Sequence, residues 1–149
     1  MKQKEEEIRR VAQKLDDAVE NQDLETVLSC FSDAGEIEVF GIKFKGLHEI
    51  KSVINWMYQR FGKIKFYPLV IIVEENIFFE EFIFHTKFNG KDIEINAAEL
   101  LEYENYKVTR LKLFLDRLEI AEAVSQGFIE RQIMNWLNRE ILKGIPHYR

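Results

Sequence analysis

The 149-residue sequence has little of three residue types that often define a function, since it contains one cysteine, two prolines and three histidines. A lone Cys30 cannot form an intramolecular disulfide, which excludes the disulfide-rich secreted folds and favours a reducing, cytoplasmic setting. The three histidines have no metal-ligand spacing, so we expect no metal and no cofactor. No Pro-rich linker, repeat or low-complexity stretch divides the chain.

Long apolar runs and an excess of positive charge are also missing. No stretch approaches the ~18–20 apolar residues that cross a bilayer, and the N-terminus is charged, so we expect neither a membrane anchor nor a secretory signal. The formal net charge of -5 argues against a nucleic-acid partner, which requires a basic face. What is present is 46% hydrophobic and 32% charged residues with 12 phenylalanines, a composition typical of one globular domain.

Apolar residues recur with the helical period in three N-terminal segments. The first segment has one apolar stripe, which consists of Ile8, Val11, Ala12, Leu15, Ala18 and Val19. A second helix is expected to begin after Asp23, whose carboxylate can cap its first turn, and to end near Ser32–Gly35. A third is expected to begin at Gly46 and to stop at Gly62. Between these two helices, residues 36–45 alternate around a central glycine and predict a small hairpin.

From Leu69 the period changes to two, which predicts a four-stranded antiparallel meander. The strands are expected at Leu69–Glu74, Ile77–Phe88, Lys91–Tyr103 and Val108–Leu115. Asn89-Gly90 is the strongest two-residue hairpin signal, because both positions tolerate the positive φ of a type I′ turn. The helical period returns after Asp116, which we expect to cap a helix, and resumes beyond Gly127. This order predicts an α+β fold with helices packed on one face of a curved antiparallel sheet.

Four segments carry a resemblance to a known superfamily. They are DLETV from Asp23, FSDA from Phe31, KGLHEI from Lys45 and LFLD from Leu113. With the order of elements, they make residues 5–122 resemble the nuclear transport factor 2 superfamily, which includes ketosteroid isomerase, the SnoaL-like polyketide cyclases and limonene-epoxide hydrolase. The resemblance implies a cone-shaped sheet with helices on its concave face around an apolar pocket. It also implies a SnoaL-like domain over residues 1–126, with 127–149 as a C-terminal helical extension of that domain.

The catalytic residues of these relatives are mostly absent at the matching positions. The general base and two tyrosines of ketosteroid isomerases correspond to apolar residues, namely Val39, Leu15 and Ile54. Their second oxyanion donor, an aspartate, corresponds to Glu99, which keeps an acid. The catalytic aspartate and arginine of limonene-epoxide hydrolases correspond to Leu113 and Ala97. The resemblance therefore supports neither named reaction.

Glu99 also stands out by its place on the predicted strand. It is the lone charge of an alternating, buried set that consists of Ile93, Ile95, Ala97, Glu99, Leu101 and Tyr103. A two-residue loop at Asn89-Gly90 fixes the hairpin register and places Glu80 opposite Glu99, with Cβ atoms roughly 4.5–5.5 Å apart. Because two neighbouring carboxyls cannot both ionise cheaply, they share a proton and at least one pKa rises. Glu99 and Glu80 are the candidate catalytic residues, unless Glu80 is solvated at the open end of the cone or a basic group neutralises the pair.

Apolar and aromatic side chains from several elements are expected to line the same interior. They are Phe31, Val39, Ile54, Tyr58, Phe82, Phe84, Leu111, Leu113 and Leu115. Such a set can form a filled core, or it can surround a ligand, because pockets are lined by apolar groups around a few polar ones. The sequence leaves both interpretations open.

Two functions fit these patterns. The first is a small-molecule pocket protein of the SnoaL-like type, in which Glu99 and Glu80 carry out acid–base catalysis on a compact apolar ligand as an isomerase, cyclase or hydrolase. The second is a non-catalytic ligand-binding or association module with a packed cone.

A homodimer is expected through the outer sheet face, where charges alternate with Ile83 and Ala98. The C-terminal helix has an apolar stripe that is expected to pack on the domain or on a partner, namely Ile129, Ile133, Trp136, Leu137 and Ile141.

Overall fold

The helical and strand periods correspond to five helices and six strands in the computed structural model, which describes residues 4–146. The helices are α1 (Glu5–Glu20), α2 (Leu24–Cys30), α3 (Gly46–Phe61), α4 (Arg117–Val124) and α5 (Phe128–Ile141). The strands are β1 (Phe31–Val39), β2 (Ile42–Lys45), β3 (Ile64–Glu74), β4 (Ile77–Phe88), β5 (Lys91–Glu104) and β6 (Lys107–Leu115). None of the described helices is both long and apolar enough to span a membrane.

The three N-terminal helices form where the periodicity predicts them. Asp23 caps α2, since its carboxylate accepts hydrogen bonds from the Thr26 backbone N–H at 3.1 Å and from the Thr26 hydroxyl at 2.6 Å. Gly62 ends α3 with a positive φ of 64°, a conformation that glycine adopts without steric cost. The predicted start of α2 and the predicted start and end of α3 are therefore confirmed.

The end of α2 differs from the expectation. The helix stops at Cys30, so the expected end near Ser32–Gly35 is wrong. Phe31 instead begins β1 and pairs with Val108 of β6, which is a long-range contact that the local pattern does not contain. Glycine avoids crowding at position 35, because a Cβ atom there would lie 3.0 Å from the carbonyl oxygen of Ser32 and 3.1 Å from that of Val108.

The six strands form one curved sheet in the order β2-β1-β6-β5-β4-β3. The meander from β3 to β6 is antiparallel, with its two-residue turn at Asn89-Gly90, as predicted. β1 pairs with β6 in parallel. The two strands are neighbours in the sheet although β2, α3 and the strands β3 to β5 lie between them along the chain. The sheet curves without closing, which is the cone of the predicted α+β fold.

β3 is longer than expected and contains a proline. It begins at Ile64, so the expected start at Leu69 is wrong. Pro68 is tolerated because β3 is the edge strand of the sheet and its register with β4 shifts between Pro68 and Val70. The bulge places Leu69 as an extra residue and lets the alternation continue on both sides.

The hydrophobic core lies between the concave face of the sheet and α1, α2 and α3. The α1 stripe is buried, with Ile8, Ala12 and Leu15 among the core residues. From the sheet, Phe78 and Leu101 belong to the same core. The helices therefore cover the concave face, as the fold class predicts.

The described residues divide into two compact units between Leu115 and Asp116. In the second unit, the Asp116 carboxylate accepts a hydrogen bond from the Leu118 backbone N–H at 2.8 Å, so its predicted role as a helix cap is confirmed. The Asn138 side-chain amide donates to Glu122 at 3.4 Å and links α5 to α4. Neither helix has a buried residue within the described range. A domain boundary at 126/127, with the tail as part of the same domain, stays a prediction.

Candidate functional site

One row of side chains crosses the concave face of the sheet. The register pairs Val39 with Leu113, Leu113 with Glu99, Glu99 with Glu80, and Glu80 with Ile71. The direct pairing of Glu80 with Glu99 is the one predicted from the hairpin turn. Glu80 is 1% exposed and Glu99 is 8% exposed, so the alternative of a solvated Glu80 is wrong.

α1 adds a third carboxyl group, that of Asp16, to this pair. One carboxylate oxygen from each of Asp16, Glu80 and Glu99 lies within 4.8 Å of the other two. Asp16 is partly buried. Asp16 was not predicted, because the helical period of α1 identifies its apolar stripe and not the polar residues beside that stripe. Its position four residues after Ala12 and eight after Ile8 is the signal that places it beside that stripe.

Burial raises the pKa of all three carboxyls, and repulsion by neighbouring carboxylates adds to the rise at Glu99 and Asp16. Burial raises the pKa of Glu80 to about 7. Burial, together with the charge of Glu80, raises the pKa of Glu99 to about 8. Burial, followed by the charges of Glu99 and Glu80, raises the pKa of Asp16 to about 9. Within residues 4–146 no basic group contributes to these shifts, so neutralisation of the pair by a cationic side chain finds no support.

The three carboxyls act as one titrating unit, because each changes the charge that the others experience. Near neutral pH such a unit contains both protonated and ionised groups. A protonated carboxyl can donate a hydrogen bond, and an ionised one can accept a proton. This mixture is what general acid–base chemistry requires within one site.

Tyr103 lies on the same face of β5 and belongs to the polar surroundings of the carboxyls. It is buried, and its pKa is raised by burial and by the negative charges of Glu99 and Asp16. The phenol therefore stays neutral and contributes hydrogen-bonding capacity rather than charge.

The spacing of the three carboxylate oxygens alone would also admit a cation. No histidine or cysteine joins them within the described residues. The protons that burial favours on these groups compete with any metal ion, since ligands must be deprotonated to bind one. We assign no metal site.

Aromatic rings form one wall beside the carboxyl row. Phe82 is buried next to Glu80 along β4, and its ring meets that of Phe66 edge-on with centroids 5.3 Å apart. Phe84 contacts Phe66 at 6.1 Å and Phe61 edge-on at 5.8 Å. Edge-on pairs contribute about 0.5–1.5 kcal/mol beyond area burial, so these rings form an ordered surface. Phe61 and Phe66 were not among the predicted lining residues.

The other predicted lining residues separate into two groups. The first belongs to the hydrophobic core or packs against it, and consists of Phe31, Ile54, Tyr58 and Leu111. The second lies on β1 and β6 beside the carboxyl row, and consists of Val39, Leu113 and Leu115. The Tyr58 hydroxyl is buried and finds no hydrogen-bond partner among the described residues. Contact of any of these side chains with a ligand stays a prediction.

A family model described as the SnoaL-like domain matches residues 12–111, which include Asp16, Glu80 and Glu99. The chain belongs to the SnoaL-like domain family. The matched segment runs from α1 into β6 and so covers the helices and strands that build the cone. Among curated proteins, none matches this SnoaL-like domain in sequence.

Solved structures share the fold at low sequence identity. A putative polyketide cyclase from Xanthomonas campestris is similar with a TM-score of 0.76 and 13% identity, over 81% of this chain and 98% of that one. An NTF2-like protein of unknown function from Burkholderia pseudomallei has a TM-score of 0.74 and 13% identity, over 80% of this chain and 98% of that one. TerC, co-crystallized with polyporic acid, has a TM-score of 0.73 and 14% identity, over 80% of this chain and 99% of that one. These similarities confirm the NTF2-like fold of this SnoaL-like domain.

Proposed function

We propose that this SnoaL-like domain binds a compact, mostly apolar small molecule against the concave face of its sheet, and that Glu99 and Glu80, with Asp16, transfer protons to and from it. The observation that carries the proposal is the convergence of three carboxyls from α1, β4 and β5 within 4.8 Å of one another. Burying them without a cation costs folding free energy. A site that uses the carboxyls accounts for that cost.

The chemistry follows from the mixed protonation of the cluster. An ionised carboxylate removes a proton from a carbon atom next to a ligand carbonyl. A protonated neighbour donates a hydrogen bond to the carbonyl oxygen, on which the negative charge develops. Glu99 suits the donor role, because its position corresponds to the second oxyanion donor of ketosteroid isomerases, the known example of a carboxylic acid kept neutral for this purpose. Return of the proton to the same or another carbon regenerates the cluster.

The ligand class follows from the surroundings of the carboxyls. Phe82, Phe84, Val39, Leu113 and Leu115 offer apolar contacts on both sides of the row. In our proposal Phe31, Ile54, Tyr58 and Leu111 complete the lining. The polyporic acid bound to TerC, which has the same fold, supports a small organic ligand.

Proton transfer can be tested directly with 2-tetralone, a compact ketone with acidic α-protons. In D2O at neutral pD, we expect the wild-type protein to accelerate the exchange of those protons, followed by NMR. Loss of a general acid or base costs about 100-fold or more, so Glu99→Gln and Glu80→Gln should abolish most of the acceleration. Glu94→Gln on the outer side of β5 is the matched control and should keep it. Exchange at the rate of buffer alone would contradict catalysis by this cluster.

Binding can be tested separately from catalysis with prodan, a fluorescent naphthyl ketone that does not titrate between pH 5 and 10. A blue-shifted, saturable emission is expected with the wild-type protein. Phe82→Ala should weaken binding about tenfold, and Ile42→Ala on β2, which is exposed, should not. Saturable binding without ketone exchange would favour the non-catalytic alternative, and absence of both would contradict a ligand site.

The association module is a second candidate because of the outer face of the sheet. Exposed apolar side chains on β3 form an outer patch, which consists of Tyr67, Leu69, Val70 and Ile72. Phe114 is exposed on β6, which β4 and β5 separate from β3. Also on β6, Arg110 pairs with Glu102 at 2.9 Å and Lys112 pairs with Glu38 at 3.3 Å, so these charges are neutralised within the chain. This face is more apolar than the sequence pattern predicts, and it suits a second copy of the chain better than a charged partner.

Sedimentation equilibrium at micromolar concentration tests this homodimer. We expect a dimer for the wild-type chain and a monomer for Ile72→Glu, which places a charge in the outer patch. Lys87→Glu, on the same face of β4 but outside the patch, should remain dimeric. A monomeric wild-type protein would contradict the homodimer.

The lone buried Cys30 supports a reducing, cytoplasmic setting for either function.

A further inference from the structure

α1 is fastened to the sheet at both ends by polar contacts. At its start, the Lys4 backbone N–H donates to the Tyr106 hydroxyl at 3.1 Å, in the turn between β5 and β6. At its end, Glu20 accepts a hydrogen bond from the Phe66 backbone N–H at 2.8 Å and pairs with Lys65 of β3 at 3.1 Å. The helix therefore crosses the sheet as a strap whose two ends are held by different strands.

Between these two attachments, the strap meets the sheet through carboxyl groups. Asp16 faces Glu80 of β4 and Glu99 of β5 within 4.8 Å. Its own helix adds the negative charges of Asp17 and Glu20, and every charged group that acts on Asp16 within the described residues is acidic. Tyr103 of β5 is buried and experiences the negative charges of Glu99 and Asp16, and both effects raise its pKa, so its phenol stays neutral. Among residues 4–146, no positive charge acts on Asp16 to hold this part of α1 on β4 and β5.

The contact consequently depends on protons. When Asp16, Glu80 and Glu99 share protons, the helix and the sheet present neutral groups to each other, and the apolar stripe beside Asp16 stays packed. When all three are ionised, three negative charges face each other in a low-dielectric interior, where repulsion is strong. Burial of all three carboxyls, with repulsion in addition at Glu99 and Asp16, delays their ionisation to neutral and alkaline pH.

We propose that α1 is a pH-sensitive strap over the concave face: protons shared by Asp16, Glu80 and Glu99 hold its middle on β4 and β5, and their loss releases that part while both ends stay attached. Release exposes the carboxyl row to solvent without unfolding the sheet. The inference concerns the movement of α1 and requires no ligand, so it stands apart from the proposed catalysis.

Hydrogen–deuterium exchange of the full chain at pH 6.5 and pH 9.5, corrected for intrinsic exchange rates, tests the strap. In the wild type, we expect protection factors in peptides from residues 8–20 to fall about tenfold or more, the change that one unit of pKa shift represents. Peptides from β5 and β6 lose only the protection that follows the fall in global stability, so they should stay better protected than those of α1 at pH 9.5. Asp16→Asn, which keeps a neutral side chain at every pH, should hold α1 protection at both pH values.

Two further variants make the test specific. Asp17→Asn removes the neighbouring acid on the same helix and should behave as the wild type. Glu99→Gln removes an acid from the sheet side and should reduce the loss of protection, which covers the case that Asp16→Asn fails to fold. Equal loss of protection in Asp16→Asn and wild type would overturn the strap, as would unchanged protection of α1 in the wild type. So would protection of β5 and β6 that is no higher than that of α1 at pH 9.5.

Discussion

α1 and α5 are two amphipathic helices of similar length, 16 and 14 residues, that differ in the burial of their apolar stripes. The apolar stripe of α1 is buried, and Ile8 at its N-terminal end is 0% exposed. The stripe of α5 remains exposed, and Ile129 is 72% exposed. Both patterns predict a helix with equal force. The difference teaches that periodicity specifies which side of a helix is apolar, and that only the tertiary structure specifies what covers it.

The two helices also differ in what their polar residues do. α1 carries Asp16 to the interior beside its stripe, where it faces two buried glutamates. α5 uses its acid at position 130 locally, since the Glu130 carboxylate accepts hydrogen bonds from the backbone N–H groups of Gln126 at 3.0 Å and Gly127 at 3.1 Å. The acid of the covered helix thus contributes to a site, and Glu130 of the exposed helix stabilises the first turn of that helix.

The largest expected effect is a loss of stability as pH rises. Since the folded state raises the carboxyl pKa values, it binds more protons than the unfolded chain between about pH 4.5 and 9, so the free energy of unfolding falls across this range. Each unit of pKa shift is worth about 1.4 kcal/mol, and a rise to about 8 for Glu99 amounts to several kcal/mol by pH 9. Urea unfolding at pH 5.5 and pH 9 measures the loss. Glu99→Gln should lose less than the wild type, and parallel pH profiles for the two would contradict the buried cluster.

The next largest effect separates the two apolar stripes. Ile8→Ala should lower the free energy of unfolding by about 2–5 kcal/mol, because it leaves a cavity in the core. Ile129→Ala should change it by less than about 0.5 kcal/mol in the monomer, as expected of an exposed position. Chemical denaturation of both variants at low protein concentration provides the comparison. Equal losses would mean that α5 is as well covered as α1.

Much of the fold could be predicted because its signals are local. A side-chain cap at Asp23 and a positive φ at Gly62 set helix boundaries. The Asn89-Gly90 turn sets the boundary between β4 and β5 and also fixes the pairing of Glu80 with Glu99. The early start of β1 at Phe31 could not be predicted, because it depends on pairing with β6, more than seventy residues away along the chain.

The candidate site was predictable only where one hairpin contains it. Glu80 and Glu99 lie on adjacent strands, so register and alternation sufficed. Asp16 comes from α1, and its distance to the sheet depends on how that helix packs, which no spacing in the sequence gives. Pro68 shows the opposite problem, since a residue that usually breaks a strand is accommodated at an edge bulge.

A smaller effect is expected from removing the exposed helix. The stripe of α5 is predicted to pack on its own domain or on a partner, so deletion of residues 128–149 should lower the melting temperature by a few degrees or reduce the mass in solution. Trp136→Ala should reproduce part of the effect, and Glu140→Ala on the polar side should not. Thermal denaturation and sedimentation of the same samples measure both readouts. An unchanged melting temperature and an unchanged mass would show that α5 is a free appendage.

The smallest effect compares two helix caps, Asp23 of α2 and Asp116 of α4. The Asp23 carboxylate accepts hydrogen bonds from the backbone N–H and the hydroxyl of Thr26, and the Asp116 carboxylate accepts one from the Leu118 backbone N–H. Loss of such a cap destabilises the helix it begins. α2 carries the buried residues Val27 and Cys30, so its cap is coupled to the core, and Asp23→Ala should lower the melting temperature of the domain by about 2–4 °C.

α4 has no buried residue, so its cap stabilises a helix that the core does not depend on. Asp116→Ala should therefore leave the main thermal transition unchanged and should speed amide exchange only in the first turn of α4. Calorimetry and hydrogen exchange on the two alanine variants distinguish the cases. Both substitutions remove a cap bond to a backbone N–H, and Asp23→Ala also removes the bond from the Thr26 hydroxyl. A difference in the main transition beyond that extra bond measures how strongly each helix is coupled to a core. A drop in the main transition for Asp116→Ala as large as that for Asp23→Ala would show that α4 contributes to the folding of the cone.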